Sequence, residues 1–468
     1  MEKKFNHIIL ISLDTLRADC IGASPIAYNF LKKYKAKIKL KTSSLDEILK
    51  SGVYFNNCIS AASSTSVSHA SYFTGLWPKN HGLFEYFNRK IGKPTIFQYA
   101  KKAGYKTFFQ TDFPIILGSY LGFDKGIDHY YVENENKALG EILKNKDKKT
   151  FSFFHFGGIH YPYGFHVYKF GKKDYVNKIK SLEKKYKIKK DEEPSDMHDE
   201  SFRNNFDKSL LSRYKSIVKR MYDSRLYDEL FSLYLEGINY FFKNRFDSFL
   251  KKVKKFTDEN DALLIIFADH GEAWDENTHG HYNSLSDEVL RVPLIFYAKD
   301  IFPGKVEGLI RTIDVAPTVA SHLSGLSSKI KFDGEKLNIF NLKKIKKRKY
   351  AVAQFWYHGN KEKFIKHQQK IFANKKLIKP MSTYLSSEMA YDGINKLIKF
   401  YNSTGRLLDE QLLVRKKEIL VPSINKGSRG RLEKFLKEYN NLKVKKTRKV
   451  KDVTLEIKNY LNNLGYKI

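Results

Sequence analysis

Four short apolar runs, at residues 7–13, 151–157, 262–268 and 292–298, are separated by longer helix-compatible stretches. Runs this short that stay apolar at nearly every position fit strands buried on both faces, with the intervening helices as their cover. The pattern predicts an α/β fold built on a mostly parallel sheet. In such a fold the chemistry collects at the carboxyl ends of the strands. Here those ends are informative: "HIILISL" stops at Asp14, "FSFFHFGG" leads to His160, and "ALLIIFA" stops at Asp269 and His270.

Between the second and third runs, residues 166–225 turn Lys-rich and polar, too charged for a core, and read as a helical insertion able to overhang a site as a lid. Residues 227–255 return to amphipathic helical spacing. The stretch "RTIDVAPTVASHLSGL" reads as a strand end, a Pro near a helix start, and a helix that stops near Gly325. "KKIKKRK" at 343–349 marks a boundary, giving a catalytic unit over 1–345 and a smaller α+β appendage over 346–468 with a basic helical tail.

A carboxylate beside an imidazole at a strand end suits a divalent cation, and the imidazole favours Mn or Zn over Ca. "FADHGEAWDENTHGH" supplies Asp269 and His270 together with His279 and His281, and Asp14 ends a separate strand. The net charge of +34, from 85 Lys and Arg against 51 Asp and Glu, suits an anionic partner. An A/T-rich codon bias would enrich Lys, Asn, Ile, Phe and Tyr in the same way. No nucleic-acid-binding motif accompanies the charge, so a nucleic-acid role is disfavoured while peripheral contact with a lipid surface stays open. No apolar stretch approaches the roughly 20 residues that span a bilayer. With Cys20 and Cys58 as the complete cysteine count, the expectation is a soluble protein of the cytoplasm.

Five segments in order, "ILISLDTLRADCIG", "TSVSHASYFTGLWPKNHGL", "HYPYG", "FADHGE" through "HGHYNSLSDEVLRVPLIF", and "IDVAPTVASHLSG", resemble the sulfatase family of the alkaline phosphatase superfamily over roughly residues 5–335. "YDGINKLIKFYNSTGRLLDE" looks like a drifted form of that family's C-terminal subdomain. The resemblance implies an α/β/α sandwich with a divalent metal at the strand ends and a nucleophile on the "TSVSH" segment. By position, the nucleophile is Thr65, held with Asp14, Asp269 and His270 as metal ligands. His281 is implied as general acid, with His160 and His69 as further groups able to hold the anion or protonate the leaving oxygen.

The sequence departs from the family in ways that bear on the reaction. Family sulfatases carry a Cys or Ser that is oxidised to formylglycine, followed by Pro and Arg; here those positions hold Thr65, Val67 and His69. Threonine is not a substrate for that oxidation, but as an alkoxide it can attack phosphorus. Related phosphodiesterases and phosphoethanolamine or phosphoglycerol transferases use a threonine nucleophile. The family's catalytic Lys is missing from "FFQTDFPIILGSYLGFD", and position 158 is Gly where two-metal members carry a carboxylate, which favours one divalent ion. The expected activity is therefore hydrolysis of a phosphodiester or phosphonate ester through a phosphothreonine on Thr65, with an anionic ester as substrate. Sulfate-ester hydrolysis, transfer of a phospho-alcohol head group to a glycan precursor, and an inactive homologue that binds anionic polymer are the competing readings.

Overall fold

The computed structural model describes residues 2–84, 90–114, 116–161, 163, 168–187, 208–276, 278–281, 284–326, 330–358, 383–416 and 419–442. Its central sheet has eight strands: β1 (His7–Leu13), β2 (Val53–Phe55), β3 (Lys106–Thr111), β4 (His129–Val132), β5 (Thr150–Phe156), β6 (Ala262–Phe267), β7 (Leu294–Tyr297) and β8 (Gly304–Val306). They lie in the order β8-β2-β7-β6-β1-β5-β3-β4. Every pairing is parallel except those of β7, which runs antiparallel to both β2 and β6. The mostly parallel α/β architecture expected from the sequence is thus the observed one.

The unbroken apolar runs have a direct cause in this arrangement. β1 is buried along its whole length between β5 and β6, and both faces of the sheet carry helices. Helices α1 (Ser43–Ser51), α2 (Thr65–Thr74), α3 (Tyr168–Tyr186), α4 (Lys208–Asp223), α5 (Tyr227–Phe241), α6 (Asp247–Glu259) and α7 (Val315–His322) surround the sheet. Alternate residues of β5 serve opposite faces: Phe153 meets Phe73 of α2, while Phe154 and Phe156 meet Phe249 of α6. α6 answers with Phe249, Leu250, Val253 and Phe256 buried on one stripe.

Within 166–225, α3 and α4 are helical and pack on each other. The intervening residues 188–207, and the proposed lid they would complete, lie outside the described residues. α4 approaches the strand-end loops, where the Tyr222 hydroxyl donates to the Asp275 carbonyl (3.0 Å) and its ring stacks on His279. Among the described residues no helix is long and apolar enough to cross a membrane, and Cys20 and Cys58 are free and buried.

The C-terminal part is an antiparallel meander of β9 (Ala351–His358), β10 (Thr383–Tyr391), β11 (Asn395–Tyr401), β12 (Leu407–Lys416) and β13 (Ile419–Pro422), crossed by α8 (Lys426–Asn440). The basic tail expected after it, 443–468, lies outside the described residues. This sheet is tied to the main body by charge: Lys396 (3.0 Å) and Arg415 both bond Asp287. Burial pushes the Asp287 carboxyl up, but these two cations outweigh it and hold it well below the usual carboxylate range.

Between α5 and α6 the helix widens into a π-helical turn, Phe242–Phe246, which buries Arg245. Its guanidinium forks onto Asp112 (2.7 and 2.9 Å) and onto Glu135 (2.7 and 2.9 Å). Removing the cation would strand two buried carboxylates, so Arg245→Met is expected to cost about 3–5 kcal/mol of stability. Urea denaturation of the full chain measures this, and a loss below about 1 kcal/mol would show that the triad holds nothing in place.

Candidate active site

Asp14 and Asp269 meet because of strand register. β1 and β6 pair Ser12 with Phe267, and each chain continues two residues further to its carboxylate. On neighbouring parallel strands about 4.8 Å apart, that spacing sets the two carboxylates side by side. The backbone around them is tightly specified. The Asp14 amide donates to the Phe156 carbonyl (3.0 Å), and Ser60 (2.6 Å) and Ser68 (2.8 Å) both donate to the Asp269 carbonyl. Asp269 Oδ1 accepts the amides of His270 (3.0 Å) and Thr15 (3.3 Å).

Thr15 itself sits at φ 62°, a left-handed conformation that is a true outlier for a β-branched residue. The strain is held by its neighbours: the Tyr234 hydroxyl donates to the Thr15 carbonyl (2.7 Å) and accepts the Arg17 amide (3.1 Å). Arg17 forks onto Asp19 (2.9 and 2.8 Å), a buried ion pair rather than a cation facing the site.

Thr65 is the first residue of α2, after Ser64 in extended conformation. The helix is buried at all ten positions and ends at Gly75, whose φ of 65° favours glycine. Thr65 Oγ1 lies 3.4 Å from Asp14 Oδ2 and 3.4 Å from His270 Nε2. It stands at the positive end of the helix dipole, where developing negative charge is stabilised.

The site tests well for a cation. Asp14, Asp269 and His270 each offer one ligand atom, all within 4.8 Å of one another. Asp14 Oδ1 and Asp269 Oδ2 are buried without a hydrogen-bond partner among the described residues. Burial and the Asp269 carboxylate push the Asp14 carboxyl well above its ordinary range. Two buried carboxylates with orphaned oxygens are costly by themselves and are relieved by a divalent ion. A Cβ at Gly158 would fall 2.2 Å from the Phe241 ring, so a carboxylate there would require Phe241 to move.

The remaining residues singled out in the sequence take up different places. His281 packs against His270 with its ring tilted by 31° and the centroids 4.2 Å apart, and the His160 ring lies 5.3 Å from that of His281. His69 sits beneath α2, fully buried, with Nδ1 bonded to the Thr65 carbonyl (2.7 Å) and Nε2 to Ser12 Oγ (2.9 Å). Both of its ring nitrogens are thus engaged inside the core. The segment lacking the family's Lys carries Asp112, paired with Arg245.

One neighbour was not singled out. His155, in the penultimate position of β5, bonds Asp14 Oδ2 through Nε2 (3.1 Å) and Thr111 through Nδ1 (3.2 Å). It shares the α2-facing side of the strand with Phe153, and its ring lies 5.3 Å from that of His69. An imidazole inside a run of phenylalanines was the available signal.

Burial lowers His69 to about 3 and His155 to about 4, from an ordinary value of 6.5. Below pH 6.5 the unfolded chain takes up protons that these folded-state imidazoles refuse, so their contribution is complete above 6.5 and is lost as the pH falls toward 4. Each costs about 2 kcal/mol of stability between pH 7 and pH 5. In chelator-treated protein, His69→Gln and His155→Gln should each flatten the pH 7 to 5 stability profile by that amount. An unchanged profile in chemical denaturation would contradict neutral burial.

Comparison with known proteins agrees with this geometry. The family model described as Sulfatase matches residues 6–326. A structure solved in complex with its substrate D-glucosamine-2-N,6-O-disulfate superposes with a TM-score of 0.63 at 14% identity, covering 95% of this chain and 100% of the other. A phosphonate monoester hydrolase of Agrobacterium radiobacter gives 0.57 at 15%, covering 93% and 95%. A member of the alkaline phosphatase superfamily from Vibrio parahaemolyticus gives 0.52 at 17%, covering 95% and 90%. No match was found among curated proteins. With the family model spanning well over half its length and the strand-end site in place, the chain belongs to the sulfatase family, hydrolases of sulfuric and phosphoric esters.

Proposed function

We propose that this chain is a divalent-metal-dependent hydrolase of phosphodiesters or phosphonate monoesters that works through a covalent phosphothreonine on Thr65. The observation that carries the reading is the nucleophile position: a threonine at a helix N-terminus, 3.4 Å from both Asp14 and His270. Threonine has no route to the formylglycine that lets family sulfatases expel sulfate without a second attack on sulfur. Phosphorus accepts two successive displacements, so an unmodified hydroxyl suffices.

Asp14, Asp269, His270 and Thr65 would hold one divalent ion, Mn or Zn by ligand type. When bound, such an ion acidifies the threonine hydroxyl and offsets charge on the phosphoryl oxygens. Thr65 Oγ attacks phosphorus as the bond to the leaving alcohol breaks, and His281 gives a proton to the departing oxygen. Water then attacks phosphorus, returns a proton to His281, and releases Thr65. His160, whose ring lies 5.3 Å from that of His281, would hold the anion. His69, with both nitrogens engaged in the core, supports the helix that presents Thr65 and does not reach substrate. Two free, buried cysteines support a reducing compartment, the cytoplasm.

Sulfate-ester hydrolysis is the second reading, favoured by the family model and by the sulfated sugar bound to one structural neighbour. The orphaned, buried carboxylate oxygens speak against an inactive homologue, because a decayed site gains by losing them. Assays of an aryl phosphodiester, an aryl phosphonate and an aryl sulfate, each with Mn, Zn, Mg and Ca, separate the readings. Phospho-ester cleavage that falls at least about 10³-fold in Thr65→Ala is expected. Undiminished turnover in that variant, or sulfate cleavage exceeding phospho-ester cleavage, would overturn the proposal.

A further inference from the structure

Beside the metal-type site a short hairpin pairs Ala273–Asp275 with Thr278–Gly280 in antiparallel register, Ala273 opposite Gly280. One step outward along that register, Glu272 stands across from His281. Glu272 is 1% exposed, and its Oε1 lies 3.2 Å from His281 Nδ1. Its other oxygen has no partner among the described residues. The ligand atoms of Asp14, Asp269 and His270 lie within 4.8 Å of one another, and Glu272 is not among that set.

Three features hold it in this position. Arg17 donates from Nη1 to the Glu272 carbonyl (2.9 Å), and Trp274, fully buried, anchors the strand that follows. Gly280, at φ 77°, leaves room for the carboxylate: a Cβ there would lie 2.6 Å from Glu272 Oε1. The hairpin is therefore shaped to let a buried carboxylate reach one particular imidazole nitrogen. A carboxylate bonded to Nδ1–H is the standard device for fixing a histidine's tautomer and ring plane.

We propose that Glu272 is the positioning residue for His281: it accepts the Nδ1 proton and thereby commits Nε2 to the leaving oxygen of the ester. This rests on the reading of His281 as general acid. The division of labour is simple. His281 moves the proton from Nε2, Nδ1–H stays with Glu272 throughout, and Glu272 touches neither substrate nor metal.

The kinetic test compares two leaving groups on one phosphonate, p-nitrophenyl, which departs unprotonated, and n-butyl, which needs a proton. Glu272→Gln and Gly280→Ala should each lose about 10²-fold on the butyl ester and stay within about 3-fold on the p-nitrophenyl ester. The double variant Glu272→Gln with His281→Asn should be no worse on the butyl ester than His281→Asn alone. Equal losses on both esters, or losses that multiply in the double variant, would overturn the proposal. If the wild-type chain cleaves neither ester, the hydrolase reading fails separately, and nitrogen NMR of His281, assigned against His281→Asn, decides this one. A proton on Nδ1 in the wild-type chain that is lost or shared with Nε2 in Glu272→Gln supports it; a proton on Nε2 in the wild-type chain overturns it.

Discussion

Two carboxylates buried side by side are the constraint around which this molecule is organised. Asp14 and Asp269 are fully buried on adjacent strand ends, each with an oxygen left unbonded among the described residues. In a low-dielectric interior such a pair repels: burial and the Asp269 charge push the Asp14 carboxyl up, the neighbouring histidines outweigh burial and hold Asp269 below its ordinary range, and a divalent ion is the natural relief. Everything close to them reads as support for that repulsive pair. Serines and backbone amides bond the Asp269 carbonyl and one of its carboxylate oxygens, His155 bonds one oxygen of Asp14, and Tyr234 pins the strained turn at Thr15.

The support is layered. The parallel register of β1 and β6 brings the carboxylates together, and α2 then delivers Thr65 with its dipole aimed at the same point. Beneath α2, His69 and His155 remain neutral because burial disfavours their charged forms, so they add hydrogen bonds without competing for the cation's place. Above, the hairpin that starts just after His270 brings His281 and Glu272 to the site. A charge cluster of Asp287, Lys396 and Arg415 fastens the C-terminal sheet a few residues further along. The strand-end loop that carries His270, Glu272 and His281 is thus bounded on one side by the main sheet and on the other by a second, antiparallel one.

Much of this was legible in the sequence, for a physical reason. A parallel sheet covered on both faces writes its strands as unbroken apolar runs, and the residue that ends each run lies at the functional edge; Asp14, Asp269 and His270 are readable for that reason alone. Thr65 was found differently, by position in a motif. What the sequence hid depends on side-chain direction and long-range contact. His155 looks like one more buried residue of "FSFFHF" until alternation places it on the same face as His69. Asp112 and Arg245 are 133 residues apart, and nothing local pairs them. Glu272 is masked by its neighbours, since a carboxylate after "DHG" reads as part of the metal loop until the hairpin register sets it opposite His281. The meander offered the sequence one drifted stretch, "YDGINKLIKFYNSTGRLLDE", and its strand β12 is largely exposed and irregular in pattern.

The central claim is that Thr65 becomes covalently bonded to phosphorus during turnover. The most direct test is acid quenching of the metal-loaded chain while it turns over an aryl phosphonate, followed by mass spectrometry of its peptides. The account predicts a phosphonyl adduct on the peptide spanning 62–75, localised to Thr65 and absent from the Thr65→Ala chain. Turnover with no adduct, or with an adduct on another residue, would contradict it.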